Sequence, residues 1–408
     1  MSASHRGSGA SGKPSPVALS EFAVQASIIR VLHIQKATGI SGSERHLLEL
    51  LPRLQSTGVA LRACVLCAGD GERFVDALER AGVDTVTVPA GIDVSPLLVI
   101  RLVREIRAFA PSLVHTHLIH ADTHGLLAAA LAVTPSVSTV HGTHPFYDRE
   151  PIRSACRLAW RSAKRVIAIS EFARRFLVER ALVAEAHVRE IPYGIDPAPW
   201  RRSEEERVRA REELGLGLDD VVFGIASRLV PHKGHSFLFE AVRRAAARAA
   251  TLRILVAGDG PLRASLEADA CRGIPEGVVR FLGFQPDMVR FLGACDALVF
   301  PTMPDFGEGF GLAALEAMAA ARPVIATRVG PLPEVVGEGD AGILVDPEDP
   351  ADLADSLARL AGSVELRERL GAGARVRAAE RFSVERMVDR TLAVYRETLV
   401  GRDSRPSE

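Results

Sequence analysis

Short apolar runs alternate with amphipathic stretches along most of this 408-residue chain, and that alternation restricts the fold more than any other feature. Helical spacing of apolar residues fills the intervals between the runs. Strands that alternate with helices are typical of βαβ units, so the sequence predicts α/β domains built on parallel sheets. The predicted strands lie at residues 27–34, 61–66, 85–88, 113–116, 137–140, 165–168, 221–226, 252–256, 278–282, 297–300 and 323–326.

The alternation restarts after a proline-rich stretch at residues 191–199, which indicates a linker between two doubly wound domains. A length of 408 residues also suits two domains. Doubly wound sheets bind ligands beyond the carboxyl ends of their strands, so we expect the site in the cleft between the domains. The predicted divisions are a disordered tail at 1–27, domains at 28–194 and 195–382, a terminal helix at 383–400 and a tail at 401–408.

Composition excludes several classes of protein. The net charge is −1 and aromatic residues make up 5%, so the chain has neither a basic footprint nor a stacking surface for nucleic acid. No apolar run reaches the roughly 18 residues of a membrane span, and residues 1–27 lack the apolar segment of a signal peptide. These features predict a cytoplasmic protein.

Five cysteines are spread along the chain, and two of them form a Cys-x-x-Cys pair. Cys64 and Cys67 fall in a predicted strand, where an odd separation places their side chains on opposite faces. A disulfide is therefore not expected there, and no second Cys or His pair completes a zinc motif. We interpret all five as buried thiols in a reducing compartment.

Residues 301–318 contain the strongest chemical pattern in the chain. A predicted strand is followed by a Gly-Phe-Gly turn and a helix, with Glu308 in the loop and Glu316 on the helix. The free N–H groups of a helix N-terminus bind anions such as phosphate, and carboxylates accept hydrogen bonds from hydroxyls. A diphosphate that carries hydroxyls is a sugar nucleotide. The alternative is an ordinary strand–turn–helix connection with one surface glutamate and one helical glutamate.

A second pattern follows the first strand of the second domain, where Arg228 and Lys233 lie in one loop. Arginine presents a planar fork that matches phosphate oxygens, and lysine presents a compact charge. Together the two cations offset the charge of a pyrophosphate, and Gly234 then opens a helix. The alternative is a solvated surface loop.

These two patterns, with glycine turns at residues 39–42 and 258–260 and a histidine at 141, resemble the motifs of retaining glycosyltransferases of family 4. In that family two facing Rossmann-like domains form the GT-B fold, with a cleft between them. The resemblance covers residues 28–400. It implies an acceptor-side first domain, a second domain that binds the nucleotide sugar, and a terminal helix that crosses back onto the first domain.

The resemblance also implies a role for each matching residue. Glu308 would accept hydrogen bonds from the donor sugar, and Glu316 from the ribose. His141 would contact the transferred sugar, and a structural loop histidine is the alternative. The implied catalytic residues are His141, Arg228, Lys233 and Glu308. The implied donor-binding residues are Gly39, Gly42, Gly258, Gly260, Gly309, Phe310, Gly311, Leu312 and Glu316.

Two positions qualify the resemblance. The glycine loop that contains Gly39 and Gly42 is a weak signal by itself, because generic glycine turns look the same. Tyr193 stands where asparagine is more usual in the family, and we expect little effect from this departure if the residue is structural.

No Asp-x-Asp motif for a divalent metal occurs in the sequence, so we predict a metal-independent reaction without a cofactor. Arg228, Lys233 and helix-end N–H groups would stabilise the leaving diphosphate. The resemblance implies retention at the anomeric carbon, and the sequence shows no clear covalent nucleophile. Domain closure would assemble the site.

The sequence says least about the acceptor. Arg153, Arg157 and Arg161 recur every four residues and therefore share one helix face. Such a face suits anionic lipid headgroups or a polyprenyl-diphosphate-linked acceptor, and a merely solvated face is the alternative. We expect a nucleotide-sugar donor, a glycan or lipid-linked acceptor, no nucleic acid, and a cytoplasmic protein that is either free or peripheral at the inner face of the membrane.

Other functions on this fold would need other residues. A sugar-nucleotide epimerase needs acids poised for elimination in the cleft, and a phosphorylase needs a lysine-bound pyridoxal phosphate; neither pattern is evident. A non-catalytic sugar-nucleotide-binding scaffold is a third alternative. Loss of Arg228, Lys233 or Glu308 would favour it, and all three are present.

Overall fold

The computed structural model describes residues 28–91, 95–143, 147, 149–180, 182–201, 203–304 and 308–400. The predicted tails at 1–27 and 401–408 lie outside the described residues. The described residues form two α/β units, one on a seven-stranded sheet and one on a six-stranded sheet. The predicted fold class is confirmed.

Seven parallel strands form the first sheet. They are β1 (Arg30–Ala37), β2 (Ala60–Cys67), β3 (Asp84–Pro89), β4 (Leu113–His117), β5 (Ser136–Val140), β6 (Arg165–Ala168) and β7 (Val188–Glu190). Their order across the sheet is β3-β2-β1-β4-β5-β6-β7, so the chain reverses its direction of winding between β1 and β4. Every residue of β4 and β5 is buried, because helices cover both faces of a parallel sheet.

Six parallel strands form the second sheet. They are β8 (Val221–Ala226), β9 (Leu252–Ala257), β10 (Val279–Gly283), β11 (Ala297–Phe300), β12 (Val324–Thr327) and β13 (Gly342–Val345). Their order is β10-β9-β8-β11-β12-β13, which again places a switch of winding direction beside the first strand of the unit. Both switch points are natural places for a ligand.

Sixteen α-helices connect and flank the strands in the described part of the chain. Those of the first unit are α1 (Gly42–Ser56), α2 (Glu72–Arg80), α3 (Pro96–Phe109), α4 (Leu118–Ala121), α5 (Leu127–Leu131), α6 (Ile152–Ser162) and α7 (Glu171–Glu179). The others are α8 (Glu204–Glu213), α9 (His235–Ala246), α10 (Arg263–Ala270), α11 (Met288–Ala294), α12 (Leu312–Ala319), α13 (Leu332–Val336), α14 (Pro350–Gly362), α15 (Val364–Arg381) and α16 (Val384–Val400). Among the described helices, none combines the length and the apolar character needed to cross a bilayer.

The observed elements follow the predicted ones closely, with three differences. Strands β7 and β13 were not predicted; both are short and lie at sheet edges, β7 with one buried residue and β13 with a largely apolar and buried sequence. The helix predicted at 121–132 begins earlier, at α4, and contains a π-helical turn over Asp122–Leu126 before α5. That turn directs the buried Asp122 carboxylate at Thr116, Ser138 and Trp160, each of which donates a hydrogen bond to it.

The terminal helix α16 packs on the first unit although it follows the second in sequence. Val384, Met387 and Tyr395 are buried in the core that β1 and α1 share. The linker crosses the start of α16 at Gly194, where a Cβ atom would lie 2.6 Å from the Cα of Val384. The crossing therefore needs glycine at this position.

The cysteine interpretation is correct in part. All five thiols are free, and Cys64, Cys156 and Cys295 are buried. The expectation of five buried thiols is wrong at two residues, because Cys67 is only half-buried and Cys271 is exposed. Cys271 follows α10 directly on the surface of the second unit, where no apolar periodicity demanded burial.

Candidate active site

A cavity of about 950 Å³ lies between the two domains. Its walls include the loops that follow β1 and β10, together with residues of α1, the linker and α12. Of the predicted donor-binding residues, the cavity is lined by Gly39, Leu312 and Glu316. The first-domain glycine turn and the second-domain glutamate helix therefore face one shared space.

Glu316 is almost completely buried at the wall of this cavity, with 4% of its surface exposed. Its Oε1 accepts a hydrogen bond from Nη1 of Arg45 at 2.8 Å, across the two domains. Its Oε2 is buried and has no hydrogen-bond partner among the described residues. Burial raises the pKa of Glu316, and the guanidinium of Arg45 opposes that rise. One carboxylate oxygen is thus left to accept a hydrogen bond from a ligand.

Lys233 and Glu308 form an ion pair with each other. Nζ of Lys233 donates to Oε2 of Glu308 at 2.6 Å, and the two side chains are 15% and 12% exposed. Gly234 beside the lysine has a φ of +70°, and a Cβ there would lie 1.8 Å from the carbonyl oxygen of Pro301. This close approach holds the lysine loop against the loop that carries the glutamate.

Arg228 is exposed, and its guanidinium makes no hydrogen bond or ion pair with the residues that the structure describes. The glycine turn after β9 packs against its loop. A Cβ at Gly258 would lie 1.9 Å from the carbonyl oxygen of Ser227, and one at Gly260 would lie 2.6 Å from that of Leu229. Neither glycine lines the cavity, so in this structure the turn supports the arginine loop.

The Gly-Phe-Gly turn joins the second domain to the first. A Cβ at Gly309 would lie 2.4 Å from the carbonyl oxygen of His141, so the two backbones touch across the cleft. Gly311 has a φ of +92° and begins α12. Phe310 is 2% exposed and its ring packs against that of Tyr193, 5.0 Å away. Only the backbone of this phenylalanine is therefore suited to a ligand.

The first-domain glycine turn has a structural role as well as a place in the cavity. Gly39 has a φ of +149° and lines the cavity, whereas Gly42 is the first residue of α1 and faces open space. Glu44 accepts hydrogen bonds from the N–H of Ser41 at 3.0 Å and from Nε2 of Gln35 at 2.7 Å. The glutamate therefore fixes the start of the helix.

Both ring nitrogens of His141 are hydrogen-bonded inside the protein. Nδ1 lies 2.6 Å from the hydroxyl of Tyr193, and Nε2 lies 3.1 Å from Nδ1 of His117. Burial lowers the pKa of His141 well below its ordinary value, so the ring is neutral. Tyr193 also stacks on His46, with ring centroids 4.4 Å apart.

Arg45, His46 and Tyr193 meet the cavity but match no motif in the sequence. Arg45 and His46 lie near the start of α1, shortly after the glycine turn. That position is the only feature of the sequence that could have indicated them. For Tyr193 the signal was its departure from the asparagine that is more usual in the family.

Three buried histidines of the first domain lie close enough to form a metal site. The ring nitrogens of His33, His115 and His117 lie within 4.8 Å of one another. All six of their ring nitrogens already have hydrogen-bond partners. The cluster is therefore satisfied without a metal, and the geometry does not require one. The prediction of a metal-independent reaction stays a prediction.

The two facing parallel-sheet domains, with a cavity and a buried carboxylate between them, define the GT-B class of glycosyltransferase folds. A family model described as Glycosyltransferase Family 4 matches residues 40–199, and one described as Glycosyl transferases group 1 matches residues 220–363. The chain belongs to glycosyltransferase family 4.

Curated relatives agree with this assignment. A D-inositol 3-phosphate glycosyltransferase of Acidothermus cellulolyticus is 31% identical over 315 residues, which cover 71% of this chain and 68% of the relative. One of Saccharomonospora viridis is 39% identical over 227 residues, which cover 52% of this chain and 51% of the relative. The latter match thus spans about half the length of the relative.

Solved structures share the fold. Anabaena HepE in complex with UDP superposes with a TM-score of 0.80 at 22% identity, over 90% of this chain and 100% of that one. Sucrose-phosphate synthase of Thermosynechococcus elongatus superposes with a TM-score of 0.76 at 20% identity, over 91% of this chain and 100% of that one. At these identities the likeness shows the fold alone.

Proposed function

We propose that this protein transfers a sugar from a nucleotide-diphosphate sugar to a hydroxyl-bearing acceptor. The observation that carries the proposal is the buried Glu316 carboxylate, whose Oε2 has no partner among the described residues and which lies at the wall of a cavity between two domains. A buried acceptor without a donor is costly unless a ligand supplies one. The hydroxyls of a ribose are donors of that kind. The names of the relatives, and the complexes of HepE with UDP and UDP-glucose, support the same class of donor.

We propose a place for the base, the ribose and the diphosphate of such a donor; Phe284, Leu312 and Glu316 line the cavity, whereas Arg228 and Lys233 do not. Phe284 is 58% exposed at the edge of the cavity and offers a ring on which a base stacks. Glu316 accepts from the ribose. The N-terminus of α12, with Arg228 and Lys233, then suits a diphosphate.

In the proposed cycle, the ion pair between Lys233 and Glu308 is the state of these two side chains before the donor binds. A diphosphate competes with Glu308 for Lys233, because phosphate oxygens are also strong acceptors for the ammonium group. Glu308, once released, accepts hydrogen bonds from the sugar hydroxyls. Binding of the donor therefore replaces an internal ion pair with two ligand contacts.

We propose further that the reaction needs no metal and retains the configuration of the anomeric carbon. The two cations and the helix N-terminus supply fixed positive charge where the leaving diphosphate develops negative charge. Retention rests on the family resemblance.

For the acceptor we propose a hydroxyl compound bound on the first-domain side of the cavity. The relatives are named for D-inositol 3-phosphate, which makes a phosphorylated polyol one candidate. The sequence prediction of a glycan or lipid-linked acceptor is the other. Arg73 and Arg80 line this side together with Asp70 and Asp76, so the wall carries both signs of charge.

We propose peripheral contact of α6 with an anionic membrane, within a cytoplasmic location. Arg157 and Arg161 are exposed on this helix, and Leu158 between them is 75% exposed. Arg153 is instead half-buried and donates to the carbonyl oxygen of Arg180 at 3.1 Å. Two arginines and a leucine thus form the face that is free for lipid headgroups.

The test is release of nucleoside diphosphate from a panel of UDP-, GDP- and ADP-sugars with EDTA present. Each donor is offered alone, with inositol phosphates, and with glycan or lipid-linked acceptors. We expect turnover of one donor, and a loss of about 100- to 1,000-fold in Arg228→Ala, the cost of removing one charge-stabilising group. NMR of the product anomer reports whether configuration is retained.

Arg209→Ala is the matched control, since Arg209 is an exposed arginine of the same domain outside the cavity. Its turnover should equal that of the unmodified protein. Restoration of activity only by added Mg²⁺ or Mn²⁺ would refute metal independence. Failure to bind any donor would refute the transferase proposal, and with it a scaffold that binds sugar nucleotides.

A further inference from the structure

A continuous chain of hydrogen bonds runs from the cleft into the interior of the first domain. It begins at Tyr193 and His141 and passes through His117 to His33, whose Nδ1 lies 3.0 Å from Nε2 of His117. It continues to the hydroxyl of Tyr395, which lies 3.3 Å from Nε2 of His33.

From Tyr395 on the terminal helix, the series of hydrogen bonds returns to the first sheet and ends there. The Tyr395 hydroxyl lies 2.7 Å from Nδ1 of His115, whose Nε2 lies 2.8 Å from Oγ1 of Thr139. These seven side chains form the histidine–tyrosine chain. Its members are Tyr193, His141, His117, His33, Tyr395, His115 and Thr139.

The series of bonds couples the protonation of every ring to that of its neighbours. A neutral imidazole has one N–H donor and one acceptor nitrogen, and each histidine here uses both. If His141 donates to His117, then His117 must donate to His33, and His33 in turn to the hydroxyl of Tyr395. That hydroxyl has one proton and two acceptor lone pairs, so it either donates onward to His115 or accepts from both rings. A cationic ring would donate on both sides, so the links would be kept and the rings on its two sides would be polarised in opposite directions.

Burial favours the neutral rings. His33 is 1% exposed, and His115 and His117 are fully buried. Burial lowers the pKa of His33 to about 3, and lowers the pKa of His115 and His117 well below the ordinary value.

Few charged groups face the chain. His46 adds a repulsive interaction with several of its rings, and burial lowers the pKa of His46 to about 3 as well. The carboxylates of Glu44 and Glu308 act on Tyr193 at the end of the chain. Burial raises the pKa of Tyr193, and these two negative charges add to that rise. No carboxylate among the described residues hydrogen-bonds to a ring of the chain, so none compensates an imidazolium there.

We propose that the histidine–tyrosine chain positions His141 by holding its ring neutral, in one plane and in a tautomer coupled to those of His117 and His33, with His117 and Tyr395 as positioning residues. The inference rests on the proposed sugar transfer. In that reaction the anomeric carbon acquires positive charge, and an imidazolium beside it would repel that charge. The carbonyl oxygen of His141 meets the Gly309 backbone next to Glu308, so this residue lies at the junction of the two domains. A place for its ring beside the sugar is part of the proposed transfer. Tyr395 extends the control to the terminal helix.

The test is ¹⁵N NMR of the full-length protein with selectively labelled histidines, between about pH 5.5 and 8.5, the range in which an ordinary histidine titrates. Ring nitrogens with and without a proton have well-separated ¹⁵N shifts, so the spectrum reports tautomer and charge directly. We expect the four chain histidines to stay neutral, each with one N–H, throughout this range. Signals are assigned by loss in single His→Gln variants.

Tyr395→Phe removes the central hydroxyl and keeps the ring. We expect the ring signals of His117 and His141 to change although neither touches Tyr395, and kcat to fall between about two- and ten-fold, the worth of one hydrogen bond. The donor KM should stay unchanged, because the variant leaves the ribose and diphosphate contacts intact. Tyr147→Phe is the control, since it removes a buried hydroxyl of the same domain outside the chain, and the His141 signals and kcat should not respond. If Tyr395→Phe fails to fold, Thr139→Val removes the terminal hydroxyl with the same shape, and the His117 signals should again respond.

Two results would overturn the proposal. One is a His141 signal that is the same in Tyr395→Phe and Thr139→Val as in the unmodified protein. The other is a histidine of the chain that becomes cationic within the pH range of the experiment. Binding of added Zn²⁺ at the three buried histidines, with loss of their N–H signals, would also overturn it, because ligation replaces the hydrogen bonds. The NMR measurement needs no substrate. A protein that turns over no donor would therefore refute the transferase function, while the NMR result would still test the histidine–tyrosine chain.

Discussion

The ion pair between Arg45 and Glu316 makes one prediction that depends on both domains. Nη1 of Arg45 lies 2.8 Å from Oε1 of Glu316, and their side chains are 29% and 6% exposed. At this distance the Coulomb attraction is about 6 kcal/mol in an effective dielectric constant of about 20. Most of that gain is offset by desolvation of the two groups. The net contribution of a hydrogen bond to a charged group is about 1.5–3 kcal/mol.

We therefore expect Arg45→Met to lower the free energy of unfolding by about 2 kcal/mol near neutral pH. The loss should depend on pH. Burial already raises the pKa of Glu316 above its ordinary value of 4.5, and removal of Arg45 raises it further. A raised carboxyl pKa means that the folded state binds the proton more tightly, so stability falls as pH rises from the unfolded pKa toward the folded pKa.

The assay is urea unfolding of the variant and the unmodified protein at about pH 5 and about pH 7.5, on either side of the expected change. The stability difference should be small at the lower pH and large at the higher. Glu316→Gln added to Arg45→Met removes the uncompensated charge, so the double variant should regain stability at the higher pH and lose the pH dependence. An equal deficit at both pH values, or no recovery in the double variant, would refute the reasoning.

Three further changes have definite expected outcomes. Gly309→Ala should lower donor turnover by about ten-fold or more, because a Cβ there meets a backbone carbonyl of the other domain at 2.4 Å; Gly362→Ala, which faces open space at the end of α14, should leave turnover unchanged. Trp160→Phe should cost about 1–3 kcal/mol in urea unfolding, because it removes the N–H that donates to buried Asp122 at 2.9 Å; a cost near zero would contradict that role. Arg157→Gln should weaken flotation with anionic vesicles and not with neutral ones, and equal flotation with both would remove the case for headgroup contact.

Much of the fold was predictable because its signals are local. The alternation of apolar strands and amphipathic helices depends on residues that lie a few positions apart, so βαβ units follow from the sequence alone. The edge strand β7 was not predicted because its three residues, Val-Arg-Glu, carry no apolar pattern. Strand β13 was not predicted although its four residues are largely apolar and buried. Trp160 illustrates another limit. Its neighbours Arg157 and Arg161 suggest an exposed face, yet its ring is 1% exposed and its N–H bonds to Asp122.

In the candidate site, the positions of the residues were predictable from the sequence and their contacts were not. Arg228, Lys233 and Glu308 lie in short loops after strands, and Glu316 lies in the helix that follows such a loop. These loops gather at one edge of a parallel sheet whatever else the chain does. The states of the four side chains were not predictable. Lys233 is held by Glu308 while Arg228 is unengaged among the described residues.

By itself, the sequence determined the class of the protein: two doubly wound domains, their order, and the phosphate- and hydroxyl-binding residue types at the strand ends. It could do so because secondary structure and loop motifs are written in neighbouring residues. The pairing of Arg45 with Glu316 and the bonds of His33 and His141 to Tyr395 and Tyr193 were decided by the tertiary structure. Arg45 and Glu316 are 271 residues apart, His33 and Tyr395 are 362 apart, and His141 and Tyr193 are 52 apart. Only the folding of the chain, with the packing of the two domains and the return of α16, brings such partners within hydrogen-bond distance.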